Sequence, residues 1–163
     1  MVVAALADTH LPRGARRLPG ECLEALRAAD LIVHAGDLSA ASVLEELRAL
    51  GPPVQAVFGN ADEPALREQL PKELVLEAEE TRIGVVHIPG PAAARGERLR
   101  RRFPGCDAVL FGHTHVPVVE QEEGVWLLNP GSPTERRRAT PFYSFLRLQV
   151  DGAAIVPELV RLT

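Results

Sequence analysis

The chain has 163 residues, 46% hydrophobic and 25% charged, values that exclude a disordered chain, a collagen-like repeat and a coiled coil. Eighteen basic against 22 acidic residues leave a net charge of −4, and a pI of about 5.7 argues against a general nucleic-acid or membrane-surface binder. One domain covering residues 1–163 is expected from this length.

Val2 to Ala7 is a short apolar run ending at Asp8, the pattern of a strand covered on both faces. Cys22, Leu23, Leu26 and Ala29 then recur at helical spacing after Pro19-Gly20, and Leu31 to His34 is a second buried strand that stops at Gly36-Asp37. Ser42 and Glu45 have the spacing of a capping box at the start of a helix that Gly51-Pro52-Pro53 ends. Val54 to Phe58 is a third strand, closed by Gly59-Asn60. The alternation predicts a parallel sheet, with its binding crevice outside the carboxyl ends of the strands.

Strands are expected at Leu74 to Ala78 and Arg82 to Ile88, a helix at Ala92 to Phe103, and a strand at Ala108 to Phe111 running into Gly112-His-Thr-His115. Val116 to Glu120, Val125 to Leu128, Tyr143 to Val150 and Ala154 to Val160 complete the strands. The expected α/β fold is a four-layer αββα sandwich, two packed mixed sheets flanked by helices. Cys22 and Cys106 lack Cys-x-x-Cys spacing and read as buried free thiols of a reducing compartment. With no signal-peptide pattern and no membrane-length apolar run, a cytoplasmic protein is expected.

Five fragments fall at strand ends: Asp8-Thr-His10, Gly36-Asp37, Gly59-Asn60, His87 and Gly112-His-Thr-His115. Their carboxylates, imidazoles and amide form a mixed N/O donor set suited to Mn²⁺, Fe, Zn²⁺, Co²⁺ or Ni²⁺ and hard enough for Mg²⁺, with no thiolate of the structural-zinc kind. An Asp at a strand end is also a common helix N-cap, and His113-x-His115 taken alone is as readily an exposed pair. His34, inside an apolar strand, reads as a core histidine, neutral and hydrogen-bonded.

In this order the fragments resemble the calcineurin-like metallophosphoesterase superfamily, and the size and the Asn129-Pro-Gly-Ser132 turn resemble its small YfcE-type phosphodiesterases. The resemblance implies a dinuclear centre. One ion falls to Asp8, His10, Asp37 and His115, the other to Asp37, Asn60, His87 and His113, with Asp37 as the bridge. Mn²⁺ is the first choice of metal by resemblance, and Asp37, Asn60, His87 and His113 are the implied catalytic residues. The implied reaction is hydrolysis of a small or nucleotide-like phosphodiester by a metal-bridging hydroxide. A phosphomonoesterase, or a non-catalytic binding scaffold of the retromer-subunit type, is the alternative. The implied partner is a small-molecule phosphate ester, with no membrane and no strong nucleic-acid signal, and a homo-oligomer stays open.

Two departures from the pattern bear on mechanism. Ala61 stands where many members have a leaving-group histidine, and His87-Ile-Pro-Gly90 lacks the second histidine common at that motif. Asp62 is read either as a partner of the ligands or as an exposed loop carboxylate. Arg136, Arg137 and Arg138 follow in a loop near the mouth of the site, as contacts to a substrate phosphate or as a solvated charge run. Arg98 and Arg100 to Arg102 read as a solvated helix face, and Arg13, Arg16 and Arg17 lie close enough in sequence to reach the site.

Overall fold

The computed structural model describes residues 1–163. Two five-stranded sheets face each other. The first has the order β10-β9-β1-β2-β3, where β1 is Val2–Leu6, β2 Leu31–His34, β3 Val54–Ala56, β9 Tyr143–Asp151 and β10 Ala154–Leu162. The second has the order β4-β5-β6-β8-β7, where β4 is Glu73–Ala78, β5 Thr81–Val86, β6 Ala108–Phe111, β7 Val118–Glu122 and β8 Val125–Asn129. Both sheets are mixed: β1, β2 and β3 run parallel, as do β5, β6 and β8, while the remaining pairs are antiparallel.

The apolar runs do what their lack of alternation implies. β2 and β6 are buried at every position because both faces are covered. Val3, Ala5, Val33, Leu146 and Leu148 of the first sheet meet Ile83, Val85, Leu110 and Leu128 of the second in the central layer. On the outer face of the first sheet, Ala4, Leu6 and Ile32 pack beneath α1 (Gly20–Ala28), α2 (Ala41–Arg48) and α3 (Pro64–Gln69), through Leu26, Leu44, Leu47 and Leu66. On the far side, Leu99 of α4 (Arg95–Arg102), with Phe103 and Cys106, covers Val86, Val109, Phe111 and Leu127. This is the expected four-layer sandwich. Cys22 and Cys106 are buried free thiols, and no helix is long and apolar enough to cross a membrane.

Two local expectations are corrected, and one helix carried no expectation. The capping box is not formed: α2 begins at Ala41 after an N-cap at Ala40, so Ser42 lies inside the helix, and Glu63 Oε1 instead accepts the Ala41 N–H at 2.7 Å. The helix expected from Ala92 starts only at Arg95, because Ala94 has φ 53° and breaks the turn. The short α3 has a single buried residue, Leu66, and carries no apolar stripe for a periodicity to reveal.

Candidate functional site

Seven side chains converge where the carboxyl ends of the parallel strands of both sheets meet. Asp8 and His10 follow β1, Asp37 follows β2 and Asn60 follows β3; His87 follows β5, and His113 and His115 follow β6. Asp8, His10, Asp37, His113 and His115 have φ between 46° and 73°. This left-handed backbone is uncommon outside glycine, is adopted most readily by Asn, Asp and His, and costs on the order of 1–3 kcal/mol per residue. It turns the chain back on itself immediately after each strand, so that Asp8 with His10, and His113 with His115, face one crevice. Gly59 is required for a related reason: a Cβ there would overlap the Asp37 backbone nitrogen and carboxylate.

His10 Nε2 lies 3.2 Å from His115 Nε2 and 3.6 Å from Asp37 Oδ2, and His115 Nε2 lies 3.4 Å from Asp8 Oδ1. On the other side, His87 Nε2 is 3.1 Å from the same Asp37 Oδ2 and 3.1 Å from Asn60 Oδ1, and His113 Nδ1 is 3.0 Å from that amide oxygen. The side chains of both four-residue groups that the resemblance implies therefore lie together, with Asp37 between them. Asp8 Oδ1 also comes within 3.9 Å of His87 Nε2, so both carboxylates reach across, Asp37 being the closer to His87. Neither Asp is a helix N-cap, since α1 begins at Gly20 and α2 at Ala41.

The donor set fits divalent cations. Asp8 Oδ1 is buried without a hydrogen-bond partner, a costly state unless a cation takes it. His87 Nδ1–H donates to Ala35 O at 2.8 Å, which fixes the ring and points Nε2 at oxygens of Asp37, Asn60 and Asp8. Burial works against a charge on His87, yet the hydrogen bond to Asp37 and the charges of Asp8 and Asp37 hold its pKa above the usual histidine value. Burial pushes Asp8 up to about 7, against the pull of His87 and with help from Asp37. Burial also acts to raise Asp37, but hydrogen bonds from His87 and from the Ala61 N–H at 2.8 Å keep it below the usual carboxylate range. Burial, then Arg137 and His10, bring His115 down to about 4, and burial lowers His10 and His113. Three of the imidazoles are thus held neutral, as metal ligands must be.

The loops are clamped from behind by the Asn129–Ser132 turn and Thr134, whose contacts the sequence did not foretell. Ser132 Oγ donates to Asp8 O at 2.7 Å and accepts the Thr134 and Glu135 N–H groups at 3.2 and 2.8 Å. Thr134 Oγ1 donates to Thr9 O at 2.6 Å, and Asn129 Nδ2 donates to Gly112 O at 3.1 Å. Their only sequence signal is the Asn-Pro-Gly-Ser turn. Asp62 is buried and accepts the N–H groups of Gly59, Ser39 and Asp37 at 2.7, 2.7 and 3.1 Å, so it is the partner rather than the exposed carboxylate. His34 is fully buried, 3.1 Å from Thr9 Oγ1, with Nδ1 accepting the Gly36 N–H; burial brings it down to about 3, and it stays neutral in the core.

The arginines divide. Arg137 reaches within 3.4 Å of His115 Nε2, Arg136 turns away to Pro141 O and lies over the Tyr143 ring, and Arg138 is exposed. Arg13 and Arg16 pair with Glu135 at 3.5 and 3.2 Å, while Arg17 donates to the carbonyls of Gly14 and Arg16. Arg100 and Arg101 are surface ion-pair residues, meeting Glu122 and Glu97. Arg98 is not a solvated face residue: it folds back onto the loop after His87, donating to Pro89 O at 3.1 Å and Pro91 O at 2.6 Å. There it borders a cavity of about 580 Å³ that opens beside Asn60 and His87, whose wall includes Phe58, Ile88, Arg67, Lys72 and Arg102. These positions are scattered along the chain, so no local spacing announced the cavity.

The sequence profile of the calcineurin-like phosphoesterase superfamily domain matches residues 1–153. A probable metallophosphoesterase of Methanothermobacter thermautotrophicus is 37% identical over 165 residues, covering 99% of this chain and 92% of the relative. Among solved structures, wild-type Vps29 from Entamoeba histolytica complexed with Zn²⁺ superposes with a TM-score of 0.80 at 24% identity, covering 99% of each chain. A structure described as a novel archaeal phosphodiesterase gives a TM-score of 0.77 at 18% identity, over 98% of this chain and 100% of that one. Likenesses at these two identities concern the fold.

Proposed function

The chain belongs to the calcineurin-like phosphoesterase superfamily, and from that premise we propose that it hydrolyses phosphodiesters at a centre for two divalent cations, Mn²⁺ foremost. Asp8, His10, Asp37 and His115 would hold one cation, and Asp37, Asn60, His87 and His113 the other. The observation that carries this reading is Asp37 Oδ2, 3.6 Å from His10 Nε2 on one side and 3.1 Å from His87 Nε2 on the other. Bound cations of this kind neutralise phosphoryl oxygens and make water a competent nucleophile near neutral pH.

The chain's own residues set the remaining features. Ala35 O fixes the His87 ring so that Nε2 faces Asp37, and the Ala61 N–H and Asp62 together hold the Asp37 segment in place. Arg137 lies beside His115 at the mouth, where a guanidinium pairs with a phosphoryl oxygen. In the hydrolysis one P–O ester bond breaks, the oxygen of water bonds to phosphorus, and a proton of that water ends on the leaving oxygen. Ala61 offers no acid for that last transfer, so the rate follows the leaving group's own acidity. The diester preference draws on the cavity beside Asn60 and His87, which has room for a second ester arm.

The test is to strip metals with a chelator, restore Mn²⁺, Ni²⁺, Zn²⁺ or Mg²⁺ singly, and compare bis(p-nitrophenyl) phosphate with p-nitrophenyl phosphate. Mn²⁺ should restore diester hydrolysis, and Asp37→Asn should lower it more than about a hundredfold. Faster hydrolysis of the monoester would replace the diester reading by a phosphomonoesterase. An unaffected Asp37→Asn, or hydrolysis of neither ester, overturns the catalytic reading. A chain that retains no metal after reloading points to the binding-scaffold alternative.

A further inference from the structure

The cavity beside Asn60 and His87 carries a charge pattern that the whole chain does not. Four cations, Arg67, Lys72, Arg98 and Arg102, line it and no carboxylate does, in a protein of net charge −4. Only Arg102 is paired, with Glu73. Arg67 spends donors on backbone carbonyls instead, Nε on Asp62 O at 3.0 Å and Nη2 on Asn60 O at 2.7 Å, so it is tied to the loop that carries Asn60.

Arg98 is held more firmly. Its guanidinium donates to Pro89 O, Pro91 O and Ala93 O, and a Cβ at Gly90 would lie 2.8 Å from its Nε. Carbonyls orient a guanidinium without cancelling its charge, so α4, braced by the loop after His87, presents a fixed and uncompensated cation. Lys72, the only lysine of the chain, is exposed on the same wall. Between the cations the surface is apolar: Phe58 is half-buried with Arg67 over its ring at 5.7 Å, and Ile88 is 44% exposed, one of few large apolar side chains open to solvent. Fixed cations around an apolar floor fit a ligand with a flat apolar part and an anionic group.

Resting on the phosphoester reading of the adjoining centre, we propose that this cavity binds one arm of the substrate and that this arm carries a second phosphate. The substrate class is then a short nucleotide diester with a terminal phosphate. The phosphorus to be attacked sits at Asp37, Asn60 and His87, a base or sugar lies along Phe58 and Ile88, and the terminal phosphate meets Arg98 and Lys72. A diester with two uncharged arms leaves those cations unanswered, which is the basis for discrimination.

The experiment compares the adenosine dinucleotide ApA with its 5′-phosphorylated form pApA on the Mn²⁺-loaded protein, and titrates AMP and adenosine calorimetrically into the same protein. The ratio of kcat/KM for pApA over ApA should exceed about tenfold, as expected for a charge-assisted contact. Lys72→Gln and Arg98→Gln should each lower that ratio, and the double variant should bring it near one while weakening AMP about tenfold or more. Lys72 is exposed on the wall, so its variant reports on charge even where Arg98→Gln disturbs the loop. Equal rates on ApA and pApA, or a ratio unchanged in the variants, overturn the second-phosphate assignment and leave the phosphoesterase reading intact. If no ester is hydrolysed with any metal but AMP binds and depends on Lys72 and Arg98, the cavity assignment stands and the catalytic reading falls. Absence of both hydrolysis and AMP binding removes both.

Discussion

Asp8 is completely buried, with one oxygen accepting the His113 N–H at 3.0 Å and the other unpartnered. Its carboxyl, raised to about 7 mainly by burial, stands well above its unfolded value near 3.8. A folded pKa above the unfolded one means that the contribution to stability is fully present below pH 3.8 and is lost as pH rises through about 7. The metal-free protein therefore carries an ionised, under-compensated carboxylate at pH 8. Asp8→Asn should stabilise the metal-free protein at pH 8 by an amount on the order of a few kcal/mol, with the advantage shrinking towards pH 5. The same variant should weaken metal uptake. Urea midpoints of chelator-treated wild type and variant between pH 5 and 8 measure this, and parallel profiles would refute the account of Asp8. The sequence placed Asp8 among the donors but could not rank its pKa, because the burial comes from elements more than a hundred residues away, including His113 and Ser132.

The strands were readable because their signal is local. β2 and β6 are unbroken apolar runs, and the structure places both where the sequence does, at Leu31–His34 and Ala108–Phe111. Strand ends carrying Gly-Asp, Gly-Asn or Gly-His were readable for the same reason. What escaped was structure held by distant partners: α2 is started by Glu63 rather than by its own Ser42, and α3 buries a single side chain. The loop from Asn129 to Thr134 is the clearest case, since it stabilises the segments bearing Asp8 and His113 without touching a ligand side chain itself. Ser132→Ala leaves Asp8 O and the N–H groups of Thr134 and Glu135 without that partner in a buried region. A loss of about 2 kcal/mol is expected, equivalent to a fall in Tm of roughly 4–8 °C for a chain of this length. Metal affinity should fall with it, since Asp8 would no longer be held in its left-handed turn. A Tm within about 1 °C of wild type would show that the loop does not hold the site.

At the scale of the molecule, the seven donors divide between the two sheets. Asp8, His10, Asp37 and Asn60 belong to the first, and His87, His113 and His115 to the second. Each proposed cation draws on both: Asp8, His10 and Asp37 with His115, and Asp37 and Asn60 with His87 and His113. Below this edge the sheets are joined by apolar packing of small and branched side chains, so cations at the edge would add cross-links to the hydrogen bonds that His87, His113 and Ser132 already make to the loops of the first sheet. Net charge hides this, because −4 averages an acidic, cation-seeking edge with the basic cavity next to it. Linkage gives the size: a ligand at a hundred times its Kd stabilises by about 2.7 kcal/mol, or roughly 5–10 °C in Tm for a chain of this length. Mn²⁺ should therefore raise the Tm of chelator-treated protein by at least that much. His87→Ala and His115→Ala, each removing a second-sheet donor from a different group, should each abolish part of the rise and together most of it. Differential scanning calorimetry with and without Mn²⁺ decides the matter. A rise that persists undiminished in the double variant would place the stabilising cation outside the edge between the sheets.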